Sequence, residues 1–356
     1  MVGPKKPSGS GISLSRPGHD VILRLPPPKA GDSRPRDQSF SSNFNDPMTQ
    51  SSNLHRFAIL TAACTLLLLL AGALVTSNDA GDSVPDWPLS YGTLFPPLVG
   101  NILFEQSHRY VAGLVGLLTL ALALWIWRAD DRSWLRRLGW LAFAGVVAQA
   151  LLGGLRVLNP QLSKPIALVH ACIAQLFFCT LVALCVFTSR WWQSDYPQLD
   201  DRATPHLRSI AVATFAVTFL QLLLGATFRH FKGSFNPHVV IVPHVLNAFV
   251  VLAMTLILAR AIRARLAATA AVRKSSLILT SLVSIQILLG AAAYVTVIVN
   301  RDALQPLPVM VWATVLHLVI GAVVLAATVV LGLATFRLVK PAPRREVESV
   351  RERAAA

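Results

Sequence analysis

Four histidines fall within long apolar stretches of this chain: His108, His170, His244 and His317. An imidazole in hydrocarbon is costly unless something binds it, so each is either a hydrogen-bonded packing residue, part of a proton path, or a ligand. One such residue alone decides nothing. Four of them, one on every second apolar segment and at similar depth, form two pairs. Each pair can grip the iron of a flat macrocycle from both sides, which is the chemistry of heme ligation. Zinc fits less well, because two imidazoles leave its tetrahedral set incomplete and no Cys or carboxylate obviously supplies the rest. The other histidines carry less: His55 and His206 fall in segments expected on the cytoplasmic side, His230 and His238 in an outer loop, and His19 in the N-terminal tail. Only His238 of these stays in view.

The two pairs differ in one chemically useful way. Glu105 precedes His108 by three residues, so on a helix the two share a face about one turn apart, whereas Val242-Pro243 precedes His244. A carboxylate there can act as a base or stabilise developing positive charge, which would make the first pair reactive and leave the second to electron transfer. The plainer alternative is a solvated group, or one paired with Arg109. Arg229, Lys232 and Arg301 are expected near the second pair and could contact ring propionates, although exposed basic residues commonly have no such partner.

The elements that must position these groups are transmembrane helices. The 356 residues are 54% hydrophobic and only 14% charged, the composition of a polytopic membrane protein. Windows of about twenty apolar residues cross a bilayer core, and eight are expected, at 57–75, 106–127, 138–157, 166–187, 209–228, 242–260, 275–297 and 309–336.

Basic residues stay on the cytoplasmic side of a membrane. With the N-terminus inside, 26 of the 32 Lys and Arg residues fall on that side and six, Arg109, Arg156, Lys164, Arg229, Lys232 and Arg301, on the other. Both termini are therefore expected in the cytoplasm, and the histidines in the outer half of the bilayer. The net charge of +15 is a topology signal; no basic patch interleaved with aromatics on a soluble domain speaks for nucleic acid. Residues 1–56 form a basic cytoplasmic segment expected to be disordered, rich in Pro, Ser, Gly and Arg, with Met48 as an alternative start. The first span has no small-residue cleavage pattern and is expected to be retained. Cys64, Cys172, Cys179 and Cys185 all lie in expected helices, and no C-x-x-C-H is present, so covalent heme attachment and a structural disulfide are not expected.

A pattern Q-x-L-L-G-[GA] recurs at 149–154, 221–226 and 286–291, with a weaker version ending at Ala71-Gly72-Ala73. Offsets of 137 and 136 residues carry Gln149 onto Gln286 and His108 onto His244. The fold class is therefore all-α, as two tandem four-helix bundles, 57–188 and 209–338, joined by a cytoplasmic linker at 189–208 and followed by a tail at 339–356. Each unit has an even number of spans, so the relating pseudo-two-fold axis runs along the membrane normal. Small residues let transmembrane helices approach closely, which accounts for much of the glycine pattern. They also leave room for a flat ring.

Taken together, Glu105-Gln-Ser-His-Arg109, the preceding segment 81–89 (GDSVPDWPL), and His170, His244 and His317 resemble the heme A synthase family over about residues 60–336. The resemblance implies an eight-helix enzyme that oxidises the C8 methyl of heme O to a formyl group by successive hydroxylations, giving heme A for cytochrome c oxidase. It implies substrate heme at His108 and His170, Glu105 as the catalytic carboxylate, and a resident heme b at His244 and His317. Contact with heme O synthase is implied only by the pathway, and the electron acceptor is not read from the sequence. Many bacterial members have a cysteine pair flanking the P-D-W-P-L segment; Val84 and Ser90 stand there in this chain. Trp87 is expected as an interfacial anchor, with a lid as the other role. Two competing readings share the histidines: a non-enzymatic di-heme cytochrome b, which needs no Glu105, and a heme transporter or chaperone, which would lack a permanent second heme.

Overall fold

A computed structural model of the chain describes Gly3, residues 47–231, Ser234, Asn236, 238–266, 269–300 and 302–341. The described helices are α1 (Pro47–Ser77), α2 (Gly100–Ala129), α3 (Ser133–Leu158), α4 (Ser163–Thr188), the one-turn α5 (Arg190–Gln193), α6 (Leu207–His230), α7 (His238–Arg265), α8 (Ala270–Val299) and α9 (Pro308–Leu338). All but α5 are long and apolar enough to cross a membrane, eight in total among the described residues. The protein is an all-α, multi-pass membrane protein.

Each of the eight coincides with an expected span and is longer than it. The largest difference is at α1, which starts at Pro47 rather than residue 57. Residues 47–56, expected to be disordered, are thus helical. Leu54 and Ala58 pack into the apolar core, and His55 Nδ1 lies 3.3 Å from Thr188 Oγ1 on α4. Those anchors extend a helix already nucleated, at little cost per added residue. The rest of that expected segment, apart from Gly3, lies outside the described residues, as does the tail beyond residue 341. His230, expected in a loop, is the last residue of α6.

Local chemistry sets the helix ends. Pro96-Pro97 and Gly100, whose φ is +52°, turn the chain into α2, and Pro308 occupies the first turn of α9, where a missing N–H costs nothing. Pro243 sits inside α7 and cannot donate to the carbonyl four residues back. It lies one residue before His244.

Helices α1 to α4 close on one another (α1 against α2 and α4, α3 against α2 and α4), and α6 to α9 do likewise. One core of buried side chains, including Leu122, Ile126, Leu181 and Leu184, fills the first set, and a second, including Leu258, Ile262, Leu279 and Leu331, fills the other. The sets meet where α9 packs on α1 and α4: Ala73 with Val311 and Val315, and Phe178 with Ala322 and Ala326.

The connection from α4 to α6 is strapped to the end of α9. Leu199 N–H donates to the Leu338 carbonyl at 2.8 Å and Lys340 N–H to the Leu199 carbonyl at 2.9 Å. Within it Asp201 accepts from Leu207 N–H at 2.6 Å and pairs with Arg265 at 3.0 Å. Burial raises the Asp201 carboxyl, but the Leu207 and Ala203 N–H groups and Arg265 outweigh it and hold the group below its ordinary range.

Candidate functional site

All four histidines of the apolar segments rest on a glycine of the long helix before them. A Cβ built on Gly72 of α1 would stand 3.1 Å from Cε1 of His108, and one on Gly153 of α3 would stand 3.6 Å from Cε1 of His170. In the second set the approach is closer, 2.8 Å from Gly225 to His244 and 2.9 Å from Gly290 to His317. In three of the four the order of approach is the same, Cε1 then Nδ1 then Nε2. The glycine of the repeated motif therefore has a use beyond helix packing. It is the floor under an imidazole.

The histidines lie at comparable depth. From the first residues of their helices, Gly100, Ser163, His238 and Pro308, the rings are eight, seven, six and nine residues along. At about 1.5 Å per residue that is roughly 9 to 14 Å. Each ring lies further along its helix than the expected windows implied, because the helices begin earlier than the apolar windows did.

The rings of His244 and His317 face each other with centroids 6.3 Å apart and planes at 77°. An imidazole nitrogen binds a first-row metal at about 2 Å, so a metal between two rings puts about 4 Å between nitrogens and leaves room for half a ring on each side. The observed separation matches. Nδ1 of His108, His244 and His317, on the glycine side of each ring, is buried without a hydrogen-bond partner. The ring separation fits residues that hold a bis-imidazole iron through Nε2, the nitrogen farther from the glycine. His108 and His170 are close enough to interact electrostatically.

The glutamines of the motif reach the same histidines. Gln149 donates to Nδ1 and to the carbonyl of His170 at 3.0 and 3.1 Å, and Gln286 donates to the His317 carbonyl at 2.7 Å. Gln221 differs: its Nε2 lies 3.3 Å from Nε2 of His244, and its Oε1 accepts from Asn247 Nδ2 at 2.9 Å. Position 68, the matching place in α1, is a leucine.

Glu105 is buried and both of its oxygens are engaged. Oε1 pairs with Arg109 Nη2 at 2.7 Å, and Oε2 accepts from the N–H groups of Ser83 and Val84, each at 3.1 Å. Arg109 Nη1 in turn donates to the carbonyls of Asp86 and Leu89 and to Ser90 Oγ. Ser90 Oγ donates to Gln106 Oε1 at 2.5 Å. The outer turn of α2 therefore clasps the loop between α1 and α2, and Val84 and Ser90 are two of the points held. Within the loop Asp86 accepts from the N–H groups of Gly92 and Tyr91, and the Gly92 bond foremost keeps its carboxyl below the usual range. Trp87 is laid on α3: a Cβ on Gly154 would come within 2.5 Å of its indole. Gly154 adjoins Gly153, the glycine under His170.

Arg229, at the end of α6, donates to Ser77 Oγ at 2.7 Å and the Ala73 carbonyl at 3.3 Å. Lys232 and Arg301 lie outside the described residues. Sequence reasoning passed over Arg156, which donates to the Gly81 carbonyl at 2.8 Å and pairs with Asp82 at 3.3 Å. It also passed over Asn247, an isolated polar residue on an apolar helix whose exposure to that rule could have flagged it. His206 pairs with Asp201 at 3.6 Å, and His238 opens α7 with its N–H on Asn236; neither joins the four. Two open clefts of about 410 and 450 Å³ lie at the other ends of the helices, around Arg208 and Phe336 and around Asp130 and Trp192.

A family model described as cytochrome oxidase assembly protein matches residues 99–236. Heme A synthase of Symbiobacterium thermophilum is 33% identical over 186 residues, 51% of this chain and 60% of that protein. Those of Lysinibacillus sphaericus and Bacillus licheniformis are 32% identical over 193 residues and 34% over 188, covering 52% and 51% of this chain and 61% and 60% of theirs. Over this stretch the chain is similar to heme A synthases. It spans about three fifths of the length of the family members it matches. The stretch matched by the family model includes Glu105, His108, His170 and Arg229 and ends before His244 and His317. For the second pair the weight falls on geometry.

Proposed function

We propose that this chain is a heme A synthase, converting heme O to heme A by oxidising the C8 methyl to a formyl group through successive hydroxylations. Substrate heme O is held by His108 and His170, and a resident heme b by His244 and His317. The observation that carries this reading is the repeated glycine floor under four imidazoles, two of which face each other, with a buried carboxylate, among the described residues, beside the first pair alone. A bound heme b supplies one-electron redox chemistry to the second pair.

The residues of the chain do the rest. The glycines fix each imidazole edge, and Gln149 and Gln286 tie the backbone of the second histidine in each pair. Glu105 is the catalytic carboxylate. With one oxygen on Arg109 and the other on two backbone N–H groups, it is suited to act as a fixed negative charge that stabilises positive charge developing at the substrate, more than as a mobile base. The clasped loop and Trp87 limit the access of water to that side. Arg229 is placed to meet a ring propionate, with Lys232 and Arg301 following in sequence as further basic residues. The enzyme would sit in the cell membrane with both termini in the cytoplasm and both hemes in the outer half, as two tandem bundles related by an axis along the membrane normal. Heme O synthase is the enzyme that must supply its substrate.

The test is co-expression with a heme O synthase in a host that makes no heme A. Heme A in the extracted pigments is the expected result. Only heme b and heme O, from protein that is folded and heme-loaded, would overturn the assignment. His244→Ala or His317→Ala should lose the resident heme; His108→Ala or His170→Ala should keep it and lose product.

A further inference from the structure

We propose that Arg229 is a cation shared by the two histidine pairs, meeting a ring carboxylate at the second pair and lying across α1 from the first, in addition to Arg109 and Arg156 on that side. The inference rests on the reading above that each pair holds a heme. Its basis is a buried charge that no carboxylate of the described residues meets directly, Asp79 acting on it only from beyond ion-pair distance. Among the described residues no carboxylate lies within ion-pair distance of Arg229, and its two hydrogen bonds go to neutral oxygens, Ser77 Oγ and the Ala73 carbonyl. Its Nε is buried without a partner. A guanidinium in a membrane-spanning segment is expensive unless an anion answers it, and its planar fork is shaped for a carboxylate. Arg156 is different, being committed to Asp82 and the Gly81 carbonyl of the loop.

The position of Arg229 links the two pairs. It projects from α6, in one helix set, onto α1, in the other. Ser77 Oγ, which accepts from it, is also 3.0 Å from Thr314 Oγ1 on α9. Thr314 precedes His317 by three residues, one turn away on the same face. On the other side Ala73 adjoins Gly72, the floor under His108. Contacts of Arg229 thus lead through Ser77 to Thr314, one turn from His317, and to Ala73, the neighbour of the glycine at the first pair. One cation near two redox-active rings raises the potential of both, because it disfavours the oxidised state, which carries one more positive charge.

The two sites can be read separately in full-length protein loaded with heme b. His108→Ala/His170→Ala leaves only the second pair, and His244→Ala/His317→Ala only the first. In both backgrounds Arg229→Gln should shift the midpoint potential of the bound heme downward, and Arg229→Lys should restore most of it. Arg229→Met, which fills volume without charge, replaces Arg229→Gln if that variant does not fold. Ser77→Ala removes a hydrogen bond but no charge and should leave both potentials near those of the parent. A shift at one pair only, no shift at either, or an equal shift in Ser77→Ala would overturn the shared assignment. If the histidine variants do not select one heme each, the underlying reading fails before Arg229 is changed.

Discussion

A methyl group added to Gly225 would stand 2.8 Å from Cε1 of His244, closer than an unmoved ring allows. Alanine normally stabilises a helix by about 1 kcal/mol over glycine, while overpacking a tight contact costs about 1 to 3 kcal/mol. The second effect wins at this position, and it falls on the ring. Gly225→Ala should therefore leave helix content unchanged but reduce the heme retained by the second pair. Gly153→Ala, where the gap is 3.6 Å, should be tolerated. The heme-to-protein ratio and Soret intensity of the purified variants measure this, and full heme occupancy in Gly225→Ala would contradict it.

Glu105 has two separable duties, loop anchor and charge. Removing one partner of a buried ion pair costs about 3 to 5 kcal/mol, since the other charge is stranded. Glu105→Ala should accordingly destabilise the protein by an amount of that order. Glu105→Gln keeps the shape but turns a donor toward Arg109 or toward the Ser83 and Val84 N–H groups, so the loop should open to protease within residues 80–99. Heme A formation should fall at least tenfold in both variants, with the second heme retained. Normal product in Glu105→Gln would remove the electrostatic role.

The eight spans and the four histidines were legible because both signals are local: an apolar run long enough to cross a membrane, and a polar ring inside it. Helix ends were not. Leu54 extends α1 outward by packing against neighbours far away in sequence, which no window average registers. The glycine of the repeated motif was visible as a small residue, but its partner was hidden, because the contact of Gly153 with His170 joins two helices. Glu105 was legible as a carboxylate one turn from His108. That it would hold the Ser83 and Val84 N–H groups depends on how the loop folds back, and sequence spacing carries none of that.

Asp201 makes the stability of the α4–α6 connection depend on pH. Its carboxyl is held below the ordinary value by the Leu207 and Ala203 N–H groups and by Arg265 against the opposing effect of burial. For a depressed carboxyl the stabilisation is fully present above the unfolded value of about 3.9 and is lost as pH falls through the lower folded value. Thermal unfolding in detergent or nanodiscs should thus show a loss of stability below about pH 4 in the wild type. Asp201→Asn should be less stable at neutral pH and show a smaller loss across that window. Parallel pH curves for the two proteins would exclude the assignment.

Gln221 leads to a prediction of unusual sign. Its Nε2 lies 3.3 Å from Nε2 of His244, the nitrogen farthest from the glycine floor and the one free to face a metal. This contact can exist only while that nitrogen binds nothing else, so it stabilises the chain without heme and competes with loading. A hydrogen bond of this kind contributes about 0.5 to 1.5 kcal/mol net. Gln221→Leu should therefore bind heme b more tightly, by roughly two- to tenfold. Asn247 holds Gln221 through a 2.9 Å bond to Oε1, so Asn247→Leu should act in the same direction and add little once Gln221 is already leucine. Heme titrations of the two single variants and the double variant, in the His108→Ala/His170→Ala background, measure the affinity and the coupling together. Weaker binding in Gln221→Leu would show instead that the amide supports the loaded ring.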